Sequence, residues 1–445
     1  MKQIIILFIV VFVGSGRIFS QESTSGANNS IVQDHSHEGH NHDDHAGHSH
    51  NNVTPASPQE TAPQAAAHTS TEDHKFDPKS TAFHHISDLN VYSIGPWNFP
   101  LPCILYSPDN GWSCFSSGKF HIDNAHHGSG HKVIDRYVLN HGRVNRIADP
   151  SLPSGALEIQ TIISKKVTVG GKEKEQDFAI INGIEYALDK SSTADGGLFG
   201  GGLTSFYDFS ITKNVFSMLF VFLLLSWVFL SMAKNYKKAP GTAPKGAQLL
   251  MEPLVIFIQE EVAKPFLGPK WERFLPMLLS IFFFVLGLNL FGQIPFLGGS
   301  NVTGNLSFTM VLALIAFIVV NFNGNKHYWE HIFWMPGIPA WVKIILTPVE
   351  VLGVLIKPLT LMLRLFANIT AGHMAILIFI SLIFIFGNSG ANTAAGLGAS
   401  VGSGLLTVFM MSIELLVAMI QAFVFTLLTA SYIGAATEEH HHAEH

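Results

Sequence analysis

The second half of the chain is a series of apolar runs too long and too poor in charge for water. Asn214 to Ala233, "NVFSMLFVFLLLSWVFLSMA", holds twenty residues without one charge, enough to cross a hydrocarbon layer of roughly 30 Å. Inside such a layer every backbone N–H and C=O must be paired within the protein, so an unbroken apolar run can only be a helix. Composition agrees: 48% of the 445 residues are hydrophobic, 13% are charged and 35 are Phe. The net charge of −6 is mild and gives no basic footprint for nucleic acid.

Charge sets the expected orientation. Lys234, Lys237, Lys238 and Lys245 directly follow the first run, so that loop belongs in the cytoplasm and everything before it outside. Leu249 to Ala263 mixes apolar and acidic residues and reads as an amphipathic helix on the cytoplasmic surface. Phe274 to Phe291 crosses outward, "GQIPFLGGSNVTGN" turns outside, and Leu306 to Phe322 returns. Lys326 to Lys343 carries the charge and Trp suited to the cytoplasmic interface.

The last two segments exceed one crossing. Ala340 to Phe386 runs about forty-five residues, with Pro348 and Pro358 as kink candidates. At 1.5 Å per residue that is roughly 60–70 Å, so the helix must lie strongly tilted. After a Gly/Ala/Ser loop expected near Gly387 to Gly404, Leu405 to Ala436 is also over-long. The expected fold is an all-α polytopic membrane protein with about five membrane helices, ending in a long tilted hairpin. A small β-rich exported domain precedes it.

The composition divides the chain into four segments. Residues 1–20 read as a signal peptide, with Lys2, an apolar core Ile4 to Val13 and small residues at Gly16 and Ser20. An uncleaved anchor is the other reading, and either one places residues 21–205 outside the cytoplasm. Residues 21–70 are rich in Ser, Asn, Pro, Ala and His and are expected to be disordered. Their tract "HSHEGHNHDDHAGHSH" holds His35, His37, His40, His42, His45, His48 and His50 among acidic residues. These are weak candidate ligands for Zn, Cu or Ni, or simply a solvated, proton-buffering tract. Residues 71–205 read as the exported β domain: "ALEIQTIISKKVTVGGKEKEQDFAIINGIEYAL" gives strands broken by a Gly-Gly turn. Cys103 and Cys114, the two cysteines of the chain, fall here and either pair or stay as thiols. Residues 206–445 form the membrane domain.

Polar residues inside apolar helices mark function, because each costs free energy to bury. Arg364 is the only Lys or Arg after Lys357, and a guanidinium cannot shed its proton. On a helix Glu350 and Lys357 lie within about 40° of Arg364, Asn368 about 40° to its other side, and His373 about 180° away. Glu414 and Gln421, seven apart, share one face of the final helix. Two polar paths result, one along Glu350 to Asn368, the other joining His373 to Glu414 and Gln421. An acid and an imidazole within reach of each other can relay protons near neutral pH. The structural alternatives are a Glu350–Lys357 ion pair, a mutually satisfied His373–Glu414 pair, and Arg364 as a buried partner of Glu414. As a class, a divalent-metal transporter with a His-rich exported segment is the rival.

The segments "KPLTLMLRLFANITAGH" and "IELLVAMIQAFVFTLLTASYIGAATEEH" resemble the C-terminal helices of ATP synthase subunit a, the proton-channel subunit of the membrane (Fo) sector. The resemblance spans roughly residues 206 to 440. It implies a non-enzymatic, cofactor-free, proton-translocating subunit of the inner (plasma) membrane. Its implied partners are c-ring subunits, the subunit b stalk, the ATPase head through the stalks, and membrane lipid. It further implies that Arg364 faces the ring carboxylates, that Asn368 and Glu350 belong to the cytoplasmic half-channel, and that Gln421 sits on the final helix beside the arginine. This chain carries His373 where many members have Glu, and Glu414 where they have His. The acid and the imidazole are exchanged across the helix pair.

Overall fold

The computed structural model describes residues 87–438, apart from 95–96, 123–127, 154–156, 170–171, 193–203, 239–242, 244, 295–299, 336 and 388–391. The signal-like segment, the His tract and its seven candidate ligands lie outside the described residues.

Among the described residues the N-terminal body is built of β-strands and one 3-10 turn, Ser117–Phe120. Its strands are β1 (Val91–Ile94), β2 (Trp97–Pro100), β3 (Pro102–Ser107), β4 (Gly111–Ser116), β5 (Lys132–Val133), β6 (Tyr137–Asn140), β7 (Arg143–Ile147), β8 (Leu157–Glu158), β9 (Thr161–Val169), β10 (Lys172–Ile181), β11 (Ile184–Asp189) and β12 (Tyr207–Asp208). They pair antiparallel in sheets ordered β1-β2, β12-β3-β4, β5-β8 and β6-β7-β11-β10-β9. Two tight turns set the larger registers. His141–Gly142 and Asn182–Gly183 all have positive φ, the backbone of a two-residue turn whose twist matches the strands it joins. Alternation along β6 builds two cores: Tyr137 and Leu139 join Leu105, Phe120 and Phe206, while Val138 joins Ile147, Ile181 and Leu188.

Pairing Ile104 with Cys114, and Cys103 with Phe115, sends the two cysteines to opposite faces of the β3-β4 ladder. Cys103 is a buried free thiol and Cys114 an exposed one, so the pairing left open by the sequence does not form. Burial pushes the Cys103 thiol up to about 12, which leaves it inert as a nucleophile.

The β body is anchored on the first α-helix among the described residues, α1 (Lys213–Lys238). Asp88 accepts from the Asn214 N–H at 3.0 Å and from Thr212 Oγ1 at 2.8 Å, and Lys213 N–H donates to the Leu89 carbonyl at 2.8 Å. A carboxylate receiving the first free N–H groups of a helix satisfies donors that have no partner within the helix. Burial pushes the Asp88 carboxyl up to about 6, against those hydrogen bonds and the charges of Lys213 and Arg143.

The membrane part continues with α2 (Ala247–Phe257), a π turn Ile258–Ala263, a short turn Lys264–Leu267, α3 (Trp271–Gln293), α4 (Leu306–Phe322), α5 (Lys326–Phe333), α6 (Ala340–Phe386) and α7 (Thr393–Thr437). Among the described residues four helical runs are long and apolar enough to cross a membrane, and the pair α4–α5, bent by 105°, counts as a fifth when taken as one span. The expected surface helix and the crossing after it belong to one helical run, Ala247–Gln293, punctuated at Gly268, whose φ is +51°. Aromatic and aliphatic side chains of α3 and α4 (Phe274, Leu278, Ile281, Phe308, Leu312) fill the centre of the bundle. Leu361, Leu365 and Ile369 of α6 and Phe425 and Ile433 of α7 close over it.

Helix α6 runs 47 residues through Pro348 and Pro358 without ending, about 70 Å. Its partner α7 has 45 residues and begins at Thr393, so most of the loop expected at Gly387 to Gly404 is helix. Part of the Gly/Ala/Ser composition reflects close packing instead. A Cβ on Gly396 would stand 3.3 Å from the Gly387 Cα, and Ser403 Oγ donates to the Phe379 carbonyl; small residues let membrane helices approach this closely. The far end of α7 is held too. Asn325 N–H, Asn325 Nδ2 and Lys270 Nζ donate to the carbonyls of Ala436 and Thr437 at 2.9–3.0 Å. These are the orphan acceptors of a helix C-terminus, where a cation is also favoured.

Candidate functional site

All six candidate residues sit on the α6–α7 hairpin. Three consecutive turns of α6 expose Leu363, Arg364, Ala367, Asn368 and Ala371, while Leu361, Leu365 and Ile369 are buried against the bundle. The polar stripe expected from helical spacing therefore lies on the outer face of the hairpin. Arg364 and Asn368 make no hydrogen bond or ion pair among the described residues. The neighbouring exposed positions Ala367 and Ala371 carry small side chains, so another element can come close there.

Toward the start of α6 the stripe turns inward. Glu350 and Lys357 are half-buried. They form no ion pair with each other among the described residues, so that structural alternative is not realised. Lys357 Nζ lies 5.4 Å from the centre of the Tyr432 ring. The two line a narrow cavity with Ala316, Val320, Asn321 and Tyr328.

On the opposite side of α6, His373 meets α7. Its Nδ1 stands 3.6 Å from Glu414 Oε1, with the His373 side chain 13% and the Glu414 side chain 4% exposed. Gly372 packs beside the pair: a Cβ there would stand 3.4 Å from the Glu414 side chain, at ordinary contact distance. Glu414 thus pairs with His373, and Arg364 points elsewhere. The reading of Arg364 as a buried partner of Glu414 does not hold.

Gln421 is buried two turns further along the same face of α7, and no hydrogen bond among the described residues ties it to Arg364.

Several polar residues around Glu414 escaped the sequence reading. Gln293 Nε2 donates to the Glu414 carbonyl at 2.9 Å and Asn289 Nδ2 to the Ala418 carbonyl at 3.2 Å. Thr303 Oγ1 donates to Asn289 Oδ1 at 2.6 Å. On α6, Thr370 Oγ1 donates to the Gly304 carbonyl at 3.2 Å. Buried polar groups need such partners, and here they form a cluster at the end of α3 that faces the turn before α4. The signal was present in the sequence: Asn289 and Gln293 are four apart in "GLNLFGQ", on one face of an apolar helix.

Among the described residues no group of three His, Cys, Asp or Glu side chains could hold a metal.

The sequence family described as ATP synthase A chain matches residues 215–434, and a domain of unknown function, DUF8433, matches residues 81–189. ATP synthase subunit a of Chlorobium phaeobacteroides (strain DSM 266) is 38% identical over 245 residues, 54% of this chain and 68% of that protein. The Chloroherpeton thalassium subunit is 38% identical over 244 residues, 54% and 70% of the two chains. That of Myxococcus xanthus is 36% identical over 247 residues, 54% and 77%. With the membrane hairpin and the matched length in agreement, the chain belongs to the ATP synthase subunit a family, the proton-translocating and itself non-catalytic component of the Fo sector.

Proposed function

We propose that this subunit a carries protons through two offset half-channels to and from the carboxylates of a rotating c-ring, with Arg364 as the electrostatic gate between them. The observation that carries the reading is the placement of Arg364: a permanent cation at membrane depth, on the exposed face of α6, with no anion among the described residues. An unpaired charge there is costly, so an anion must come from outside the chain. A ring carboxyl in low dielectric prefers its proton; beside Arg364 the anion is favoured instead. The arriving site releases its proton to one half-channel and, once past, takes a proton from the other.

The external half-channel runs through the Asn289, Gln293 and Thr303 cluster to His373 and Glu414, with Gln421 deeper on the same face. The cytoplasmic one runs along Glu350, Lys357 and Asn368. Orientation follows from charge and from the ends of the helices. The β body sits at the start of α1, the lysines follow its end, and α7 terminates beside Lys270 and Asn325. We assign residues 1–20 as the export signal, 21–70 and 71–205 as periplasmic, and 206–445 as the inner-membrane domain with a cytoplasmic C-terminus. Subunit b and the head reached through the stalks complete the assembly. Family membership leaves the metal-transport reading without support.

A cross-link tests the ring-facing side. Ala367→Cys, in a background with the exposed Cys114 replaced by Ser, is expected to join to cysteines placed on the outer helix of the c subunit and to stop rotation when joined. No adduct at Ala367 alongside efficient cross-linking on the opposite face of α6 would place the ring elsewhere. The His tract lies far from this route in sequence. Deleting residues 35–50 is expected to leave ATP-driven proton pumping in vesicles unchanged in metal-free buffer, and a loss of pumping or assembly would give the tract a role.

A further inference from the structure

The β1-β2 hairpin pairs Ile94 with Trp97 and Tyr92 with Phe99, so these four side chains share one face of the ladder. The face is apolar throughout, and its outer members are open: Trp97 is 68% and Phe99 49% exposed. The opposite face includes Val91, which is 1% exposed in the core of the β body. A two-stranded sheet is marginal unless its faces are covered, and here one face is left with Trp and Phe uncovered.

Its position says what covers it. The ring of Tyr92 meets that of Phe216 edge-on, with centres 5.2 Å apart. Phe216 stands in the first turn of α1 and begins the exposed stripe Phe216, Phe220, Leu223, Trp227 and Leu230, the helix face turned to acyl chains. The aromatic face of the hairpin therefore continues the lipid-facing stripe of α1 past the point where the helix leaves the membrane. Amphipathic aromatic rings concentrate at that level of a bilayer.

We propose that the β body docks on the outer leaflet through the Ile94, Trp97 and Phe99 face, with Trp97 and Phe99 buried at the headgroup–acyl boundary. The docking seats the exported domain on the membrane beside α1, independently of the proton route. Each buried aromatic adds to the hold by the apolar area it removes from water. The Asp88 and Tyr92 contacts fix the domain to the helix, and the hairpin fixes it to the lipid.

Nitroxide labels on the full chain, assembled in the complex and held in phosphatidylcholine nanodiscs, test this. Labels are placed at Trp97→Cys and Phe99→Cys in the Cys114→Ser background; Cys103, 1% exposed, stays unlabelled. Leu223→Cys provides the lipid reference. Ile184→Cys, 56% exposed at the end of the β10-β11 turn, provides the water reference. The expected result is an oxygen to nickel-chelate collision ratio at 97 and 99 several-fold above that at 184 and approaching that at 223. A ratio equal to that at 184 would overturn the docking. So would exclusion of both reagents, which would mean that a protein partner or a second copy covers the face. A second measurement needs no cysteine: phosphatidylcholine brominated near the headgroup should quench a share of the tryptophan fluorescence that is missing in Trp97→Phe. Equal quenching of both chains would overturn the proposal.

Discussion

Arg364→Ala is expected to abolish proton-driven ATP synthesis while the complex still assembles. The side chain is exposed and no described residue of this chain pairs with it, so its removal leaves no cavity in the bundle and no orphaned anion within the subunit. Its effect falls on the ring. An opposite charge at about 4–6 Å lowers a carboxyl pKa by about 1–3 units, so without it proton release from the ring slows by about 10- to 1,000-fold. A second loss is added. With no fixed cation between the half-channels, a proton can pass from one to the other without rotation, and about 2.3 kcal/mol per charge per 100 mV is dissipated. Arg364→Lys should fail as well, because a desolvated amine can shed its proton and lacks the planar fork of a guanidinium. ATP synthesis and passive proton leak measured in the same inverted vesicles check both effects. Normal coupled synthesis by Arg364→Ala would remove the gate assignment.

The parts of this architecture that the sequence disclosed are those where one physical requirement dominates. Helix α4 lies at Leu306–Phe322, where an uncharged run bounded by turn formers left a single solution. The polar stripe of α6 was legible from spacing alone, because Glu350, Lys357, Arg364 and Asn368 recur at steps of seven, seven and four along a mostly apolar helix. Misreadings arose where one composition serves two purposes. Gly, Ala and Ser between 387 and 404 signalled a loop, yet Gly387 and Gly396 are small residues at which α6 and α7 touch. Gly434 is a further case, since a Cβ there would collide with the Phe266 carbonyl. The cysteines could not be resolved from spacing, because strand register decides which face each occupies. Asn289, Gln293 and Thr303 were overlooked for another reason: attention to ionisable groups passes over neutral amides and hydroxyls, although in a membrane these also need partners and can line a proton path.

The exchanged acid and imidazole yield a prediction with its own internal control. His373 and Glu414 stand 3.6 Å apart, both nearly enclosed, so the relay they form needs one group of each kind and is indifferent to which helix supplies it. His373→Glu would set two carboxyls against each other. Their repulsion raises one pKa and holds a proton that should move on. Glu414→His would set two imidazoles together, each suppressing protonation of the other. In either single variant proton entry should slow by about tenfold for each unit of pKa displacement. The double variant restores one acid and one imidazole across the same helix pair. It should recover much of the lost rate. ATP-driven proton pumping by the native chain, both single variants and the double variant gives the coupling between the sites directly. Recovery in the double variant shows that the pair acts as a unit. Additive losses, with the double variant slower than either single, would mean that the two residues act independently and that the external route does not pass between them.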